Sequence, residues 1–152
     1  MRYGAFDQVE NFIVEKSQLL HKDQRDNAIN FNMARLHFYK KDFDAVIECL
    51  NKVTYEDVFY AINSKMLLQA SYYENKEFDA LESSIDAFIR YLQRDKSVER
   101  LRVTAYMNFC KLLRRFILFK EKDYDVFIEK IKETKPMYNK AWLLQKVEAY
   151  KS

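Results

Sequence analysis

The sequence predicts an all-α fold, and three observations lead to that prediction. The chain of 152 residues contains one glycine and one proline, whereas sheets joined by tight turns need both residue types for their turn conformations. Apolar residues recur every three or four positions in stretches such as Leu81 to Leu92, which is the spacing of one helix face. A short acid–aromatic–Asp string also returns at intervals near the length of a helix–turn–helix unit.

The recurring string occurs as Asp42-Phe43-Asp44, Glu77-Phe78-Asp79 and Asp123-Tyr124-Asp125, with a partial copy, Gly4-Ala5-Phe6-Asp7, near the start. Successive aromatic residues stand 37, 35 and 46 positions apart, so the third interval carries an insertion. The acid that precedes each aromatic residue suits a helix N-cap or first turn, where it meets free N–H groups and the positive end of the helix dipole. We expect the aromatic side chain to fill the gap between two helices as a buried plug.

Eight helices follow from this pattern. The first begins at the partial copy, the second and fourth precede the strings at 42 and 77, and the third and fifth follow those strings with apolar stripes. The sixth is the longest and accommodates the 46-residue interval, the seventh follows the third string, and the eighth begins after Pro136, where a helix can start. The predicted ranges are 5–20, 24–40, 44–53, 57–75, 78–93, 98–120, 124–134 and 137–150, each end within a few residues.

The last predicted helix, 137–150, has the character of a capping helix. Trp142, Leu143, Val147 and Tyr150 are spaced to seat it on its neighbour, while Lys140, Lys146 and Lys151 keep its outer side in water.

Taking Phe43 as the aromatic residue of an inter-helix turn, the chain resembles the tetratricopeptide repeat family. Met33 and Ala34 then stand where the family has a leucine and a small residue, and Val46 stands at its small second-helix position. More narrowly, the chain is similar to the C-terminal part of larger bacterial tetratricopeptide proteins, with 57–60 and 133–136 carrying that likeness. The resemblance implies a single domain over 1–152, built as a right-handed superhelical array of antiparallel helix pairs.

In this register Phe6 belongs to a pair whose first helix would precede Met1. We therefore expect the chain to be a piece of a longer protein or to have an atypical N-terminal cap. An uncapped end exposes apolar surface and favours self-association, here through Phe6, Val9, Phe12 and Ile13.

The resemblance implies a concave face, lined by the first helix of each pair, where peptides dock. Aromatic anchors, an arginine and amides suit such a groove, although the aromatic residues would serve equally well as core. Asn32, Arg35 and Asn63 lack an equally good core explanation. The expected function is a protein–protein interaction scaffold that holds a peptide or helix of a partner. The residues assigned to this face are Phe31, Asn32, Arg35, Phe38, Tyr39, Asn63, Met66, Leu67, Ala70 and Tyr73.

A second candidate surface is a basic face between residues 90 and 115, where eight cations meet two acids. Such a face suits an acidic protein or a phosphate backbone, so the alternative function is a nucleic-acid-associated module. A solvated helix face without a binding role fits the same pattern. The cations are Arg90, Arg94, Lys96, Arg100, Arg102, Lys111, Arg114 and Arg115.

Nothing in the sequence favours catalysis or a cofactor. The two histidines, His21 and His37, lack metal-ligand spacing, and His37 is better explained as a hydrogen-bonded packing residue. Cys49 and Cys110 are far apart and are expected to be buried, reduced thiols of a cytoplasmic protein. No apolar run approaches the length of a membrane span.

Overall fold

The computed structural model describes residues 3–118 and 121–152, and these residues form eight α-helices and no strand. The all-α prediction is confirmed. The last two positions of the predicted sixth helix, 119 and 120, lie outside the described residues. The helices are α1 (Tyr3–Ser17), α2 (Lys22–Tyr39), α3 (Phe43–Asn51), α4 (Val58–Glu74), α5 (Phe78–Arg94), α6 (Arg100–Leu118), α7 (Tyr124–Glu133) and α8 (Lys140–Lys151).

Each predicted helix is present, and the last one starts three residues later than expected. Asn139 adopts a left-handed backbone with φ of 54°, which a right-handed helix cannot contain, and α8 begins directly after it. Asparagine is one of the few residues that tolerate this conformation.

The turns that follow α2 and α4 have the same backbone geometry. Lys41 and Lys76, 35 positions apart, adopt φ values of 61° and 58°. At each turn the next N–H donates to a carbonyl five residues earlier, at 3.0 Å from Asp42 to His37 and at 2.9 Å from Glu77 to Tyr72. This is the Schellman termination, in which glycine usually supplies the left-handed residue.

Lysine at a left-handed position is strained, because its Cβ crowds the following carbonyl oxygen. We expect Lys41→Gly to raise the free energy of unfolding by about 0.5–1 kcal/mol, since relief of that strain exceeds the entropy that glycine adds to the unfolded chain. Urea denaturation followed by circular dichroism measures the change. As a control, Lys111→Gly at an exposed position inside α6 should lower the free energy by about 1 kcal/mol. Changes of the same sign would contradict the account.

Acidic side chains cap several helices, as predicted for the recurring string. The Asp42 carboxylate accepts a hydrogen bond from Ala45 N at 3.2 Å, and Asp123 accepts from the N–H groups of Asp125 and Val126. The longer Glu77 side chain accepts from Asn75 Nδ2 at 2.9 Å. The capping role is therefore confirmed for Asp42 and Asp123.

The aromatic residues of the string are not buried plugs, and that prediction is wrong. Phe78 is 45% exposed, while Phe6, Phe43 and Tyr124 are only partly buried. Side chains in a helix lean toward its N-terminus, so an aromatic residue at the first position leans over the turn and away from the core. There Phe78 makes an edge contact with Tyr73, with 6.2 Å between ring centroids.

The chain divides into two compact units, an N-terminal unit of residues 1–84 and a C-terminal unit of residues 85–152. In the N-terminal unit α2 contacts α1, α3 and α4. Asn27 of α2 also fixes the loop before α4, because it accepts from Thr54 N at 2.9 Å and donates to Thr54 Oγ1 at 2.9 Å. The buried cluster of this unit comprises Phe31, Ala34, Val46, Leu50, Val53 and Leu68.

In the C-terminal unit α8 contacts both α6 and α7. Leu143 and Val147 are fully buried, and the Trp142 ring lies 6.1 Å from that of Phe109. Tyr150 is largely exposed, but its ring meets that of Phe116. The four residues predicted to seat the last helix therefore do so. The fully buried side chains of this unit include Phe88, Tyr106, Phe109, Leu113, Phe127, Ile131 and Leu143.

Candidate functional site

A groove of about 400 Å³ opens between α1 and α2 in the N-terminal unit. Both helices contribute residues at the i, i+3, i+4 spacing of a single helix face. The lining residues are Val9, Phe12 and Ile13 from α1, and Asn32, Arg35, Leu36 and Tyr39 from α2.

The α1 wall of the groove is apolar. Val9 and Ile13 are partly buried, whereas Phe12 is 58% exposed at the rim. The Lys16 ammonium lies 5.7 Å from the centroid of the Phe12 ring, a cation–π distance. The wall thus offers a large aromatic surface to water beside a positive charge.

The α2 wall combines an apolar floor with polar side chains above it. Leu36 is buried, whereas Tyr39 is 80% exposed. The Asn32 side-chain amide donates to Ala28 O at 2.9 Å. Arg35 is exposed, and within residues 3–118 and 121–152 it makes no ion pair or hydrogen bond. It is the one charged residue among those that line the groove.

Two sets of contacts hold α1 against α2. Lys40 Nζ lies 2.8 Å from Glu10 Oε1 and 4.9 Å from the centroid of the Phe6 ring. That hydrogen bond is the main reason that the pKa of Glu10 lies below its usual value. In the loop that follows α1, Arg25 Nη2 donates to the carbonyls of Gln18 and Leu20. These contacts hold the two walls of the groove together.

The structure separates the residues assigned to the concave face. Asn32, Arg35 and Tyr39 line the groove, whereas Phe31 and Met66 are buried. The burial of Phe31 and Met66 corrects their assignment to a partner-binding surface and favours the core alternative. Phe31 belongs to the cluster of the N-terminal unit because its ring packs edge-on against both rings of the Phe59–Tyr60 pair.

The other assigned residues also lie outside the groove. The Phe38 ring packs on that of Phe43, with 5.3 Å between centroids. Asn63 Nδ2 donates to Phe59 O at 2.8 Å, and Tyr73 contacts Phe78. In place of these residues the structure brings in Val9, Phe12 and Ile13, which the sequence assigned to self-association. The i, i+3, i+4 spacing of these three residues in the sequence indicates that they share one helix face.

Several cations of the basic face already have partners, which the composition of this face did not indicate. Arg114 pairs with Asp86, and Arg102 Nη2 donates to the Tyr106 hydroxyl at 3.3 Å. Arg115 forms two hydrogen bonds with Glu121, at 2.5 and 2.9 Å, which raise the pKa of the arginine. Lys96 donates to the Gln93 carbonyl at 3.0 Å. Within the described part of the chain, the exposed cations of this stretch without a hydrogen-bond or ion-pair partner are Arg90, Arg94, Arg100 and Lys111.

Two of these four cations lie on the outer sides of their helices. The rings of Phe88 on α5 and Tyr106 on α6 meet at 5.6 Å. Arg90 lies about 200° around α5 from Phe88, and Lys111 lies about 140° around α6 from Tyr106, at 100° a residue. Both cations therefore point away from the contact between their helices.

A second cleft, of about 460 Å³, lies between α7 and α8 in the C-terminal unit. Asp125 pairs with Lys151, and Glu129 pairs with Lys132 at 2.8 Å. Because four of its five charged side chains pair with one another, with Glu148 as the exception among the described residues, this cleft offers a ligand less than the groove between α1 and α2.

Groups suited to metal binding or redox chemistry are sparse in the described ranges. No cluster of three or more His, Cys, Asp or Glu side chains there is placed to hold a metal ion. His37 is not hydrogen-bonded as predicted, since its buried Nδ1 has no hydrogen-bond partner among the described residues and lies 4.0 Å from Asp42 Oδ2. Neither cysteine forms a disulfide. Cys110 is buried as predicted, whereas Cys49 is only partly buried, and burial raises the pKa of its thiol.

None of the described helices combines the length and the apolarity that a membrane crossing requires. Comparisons with protein-family models, with curated proteins and with solved structures give no match for this chain.

Proposed function

We propose that this chain is a protein–protein interaction scaffold that holds a peptide or helix of a partner in the groove between α1 and α2. The observation that carries the proposal is a groove between the apolar face of α1 and the mixed face of α2, with exposed aromatic residues at its rims. Large exposed apolar surface that is fixed in place marks interaction sites in monomeric proteins.

The exposure of the rim favours a macromolecular occupant over a small molecule. Small-molecule sites bury most of the ligand surface and therefore need walls on several sides. Here the rim residues Phe12 and Tyr39 keep most of their surface in water. Binding therefore buries more apolar surface when the occupant is a segment that lies across both rims and covers them.

The length of the groove matches a short helical segment. Its α2 wall runs from Asn32 to Tyr39, which is about 10.5 Å at 1.5 Å a residue. A partner helix in this groove presents apolar residues at positions i, i+4 and i+7, the usual pattern of helix-in-groove recognition.

Two further features support a tetratricopeptide-like repeat array as the framework. The turns after α2 and α4 share one hydrogen-bond pattern 35 residues apart, and α2 contacts both α3 and α4. In such an array each unit contacts its neighbours and the concave or lateral grooves bind partners. We also propose a binding role without catalysis, in the cytoplasm of a bacterium, in keeping with the resemblance and with two cysteines that form no disulfide.

The test is a display library of random peptides of about 16 residues, long enough to form a marginal helix, selected on the full chain. Phe12→Ser should weaken the selected peptides by about tenfold or more, because a central aromatic anchor contributes over about 1.4 kcal/mol. Fluorescence anisotropy measures the dissociation constants. Leu19→Ser is the matched control, because Leu19 is 81% exposed and lies outside the groove. It should change them less than about twofold.

Equal effects of the two substitutions would place the binding site elsewhere and reject the groove. The alternative, a nucleic-acid-associated module, relies on the four cations of α5 and α6. It requires that the chain bind single-stranded RNA with an affinity that falls steeply as salt rises. Phe12→Ser should leave that affinity unchanged.

A further inference from the structure

Cations extend both walls of the groove, and Arg35 is the one charged residue among those that line it. At 100° a residue, Lys16 extends the α1 face formed by Val9, Phe12 and Ile13. Arg25 likewise extends the α2 face that carries Arg35. Two acids of α1 flank this face, because Glu10 lies about 60° around the helix from Ile13 and Glu15 about 60° from Phe12. Glu10 is paired with Lys40.

Of these cations, Arg35 has the most to offer a partner. Arg25 already donates to two carbonyls of the loop after α1, and Lys16 lies over the Phe12 ring. Arg35 is exposed in the middle of the α2 wall, and the described residues provide no partner for its guanidinium. A guanidinium binds a carboxylate through two parallel hydrogen bonds.

We propose that the groove selects an acidic amphipathic helix, with an apolar stripe that fills the groove and a carboxylate that pairs with Arg35. This inference rests on the proposed function and adds the chemistry of the partner. Apolar contact with Phe12, Ile13 and Tyr39 supplies affinity, while charge complementarity decides which helices bind, because unlike charges favour and like charges disfavour the encounter.

The same charges disfavour a second copy of this chain as the occupant. A symmetric dimer brings the same surface of both copies together. The groove faces of both copies would then carry Lys16 and Arg35 into one interface. The residues that line the groove include no acid that could pair with these cations.

The experiment uses two synthetic peptides of about 18 residues, a length that sustains some helix in water. Both carry leucine at i, i+3, i+4 and i+7 and differ only in the flanking positions, which are glutamate in one and glutamine in the other. Anisotropy titrations with the full chain should give about tenfold tighter binding of the glutamate peptide, as expected for a charge-assisted pair. In Arg35→Gln the two peptides should bind equally, and in Arg35→Glu the glutamate peptide should bind at least about tenfold more weakly.

Lys22→Gln is the matched control, because Lys22 is an exposed cation at the far end of α2. It should leave the preference for glutamate unchanged. Circular dichroism melts should show that the Arg35 variants remain folded, since Arg35 is exposed.

The remaining outcomes separate the two proposals. Equal binding of both peptides, weakened by Phe12→Ser, would overturn the acidic preference and leave the groove as a binding site. Binding that Phe12→Ser does not affect, or no binding of either peptide, would overturn the groove itself. A dimer in sedimentation equilibrium that Phe12→Ser dissociates would make a second copy the occupant and overturn the acidic helix.

Discussion

Phe88→Ala is expected to lower the free energy of unfolding by about 3–5 kcal/mol, the range for removal of a fully buried aromatic side chain. Phe88 has 0% of its surface exposed, and its ring lies 5.6 Å from that of Tyr106. Truncation removes apolar burial and leaves a cavity that neighbouring helices fill only in part. Urea denaturation followed by the fluorescence of Trp142, which lies in the same unit, measures the loss.

Phe78→Ala, the same substitution on the same helix, is the matched comparison. Phe78 has an edge contact with Tyr73 and is 45% exposed, so truncation should cost less than about 2 kcal/mol. Circular dichroism follows this variant, because Phe78 belongs to the N-terminal unit. Equal losses for the two variants would mean that Phe78 is packed as tightly as the recurring string first predicted.

Gln69→Met is expected to raise the free energy of unfolding by about 1–3 kcal/mol. Gln69 is fully buried within α4, and neither its amide nitrogen nor its amide oxygen has a hydrogen-bond partner among the described residues. Folding therefore removes this amide from water without compensation, which costs about 1–3 kcal/mol. Methionine has a similar length and helix propensity but no amide to desolvate.

Gln93→Met is the control, because Gln93 is exposed on α5. Its effect should lie within about 0.5 kcal/mol of zero. Denaturation curves for both variants test the comparison. A loss of stability in Gln69→Met would show that the buried amide is satisfied in solution.

The helices were predictable because their signals are local. The acid–aromatic–Asp string marks where α3, α5 and α7 begin, and apolar periodicity covers the segments between. The two left-handed turns were not predictable, since Lys41 and Lys76 carry no chemical preference for positive φ. In both turns the hydrogen bonds that terminate the helix impose the conformation.

The candidate site was predictable only in part. The register of α2 identified Asn32, Arg35 and Tyr39, but it did not indicate which side of α1 lies beside them. Helix pairing depends on side-chain packing between distant segments, which periodicity does not encode. For the same reason the composition of the basic face gave no sign that Arg114 pairs with Asp86, 28 residues earlier.

The hydrogen bonds between Asn27 and Thr54 connect the local stability of two segments. Loops usually open and exchange their amide hydrogens independently of the helices beside them. The Thr54 amide donates to Asn27 Oδ1, so it is released only when this bond to α2 breaks. Opening of α2 around Asn27 also releases the Thr54 amide, so the protection of that amide is a lower bound on the opening free energy of the helix that forms one wall of the groove.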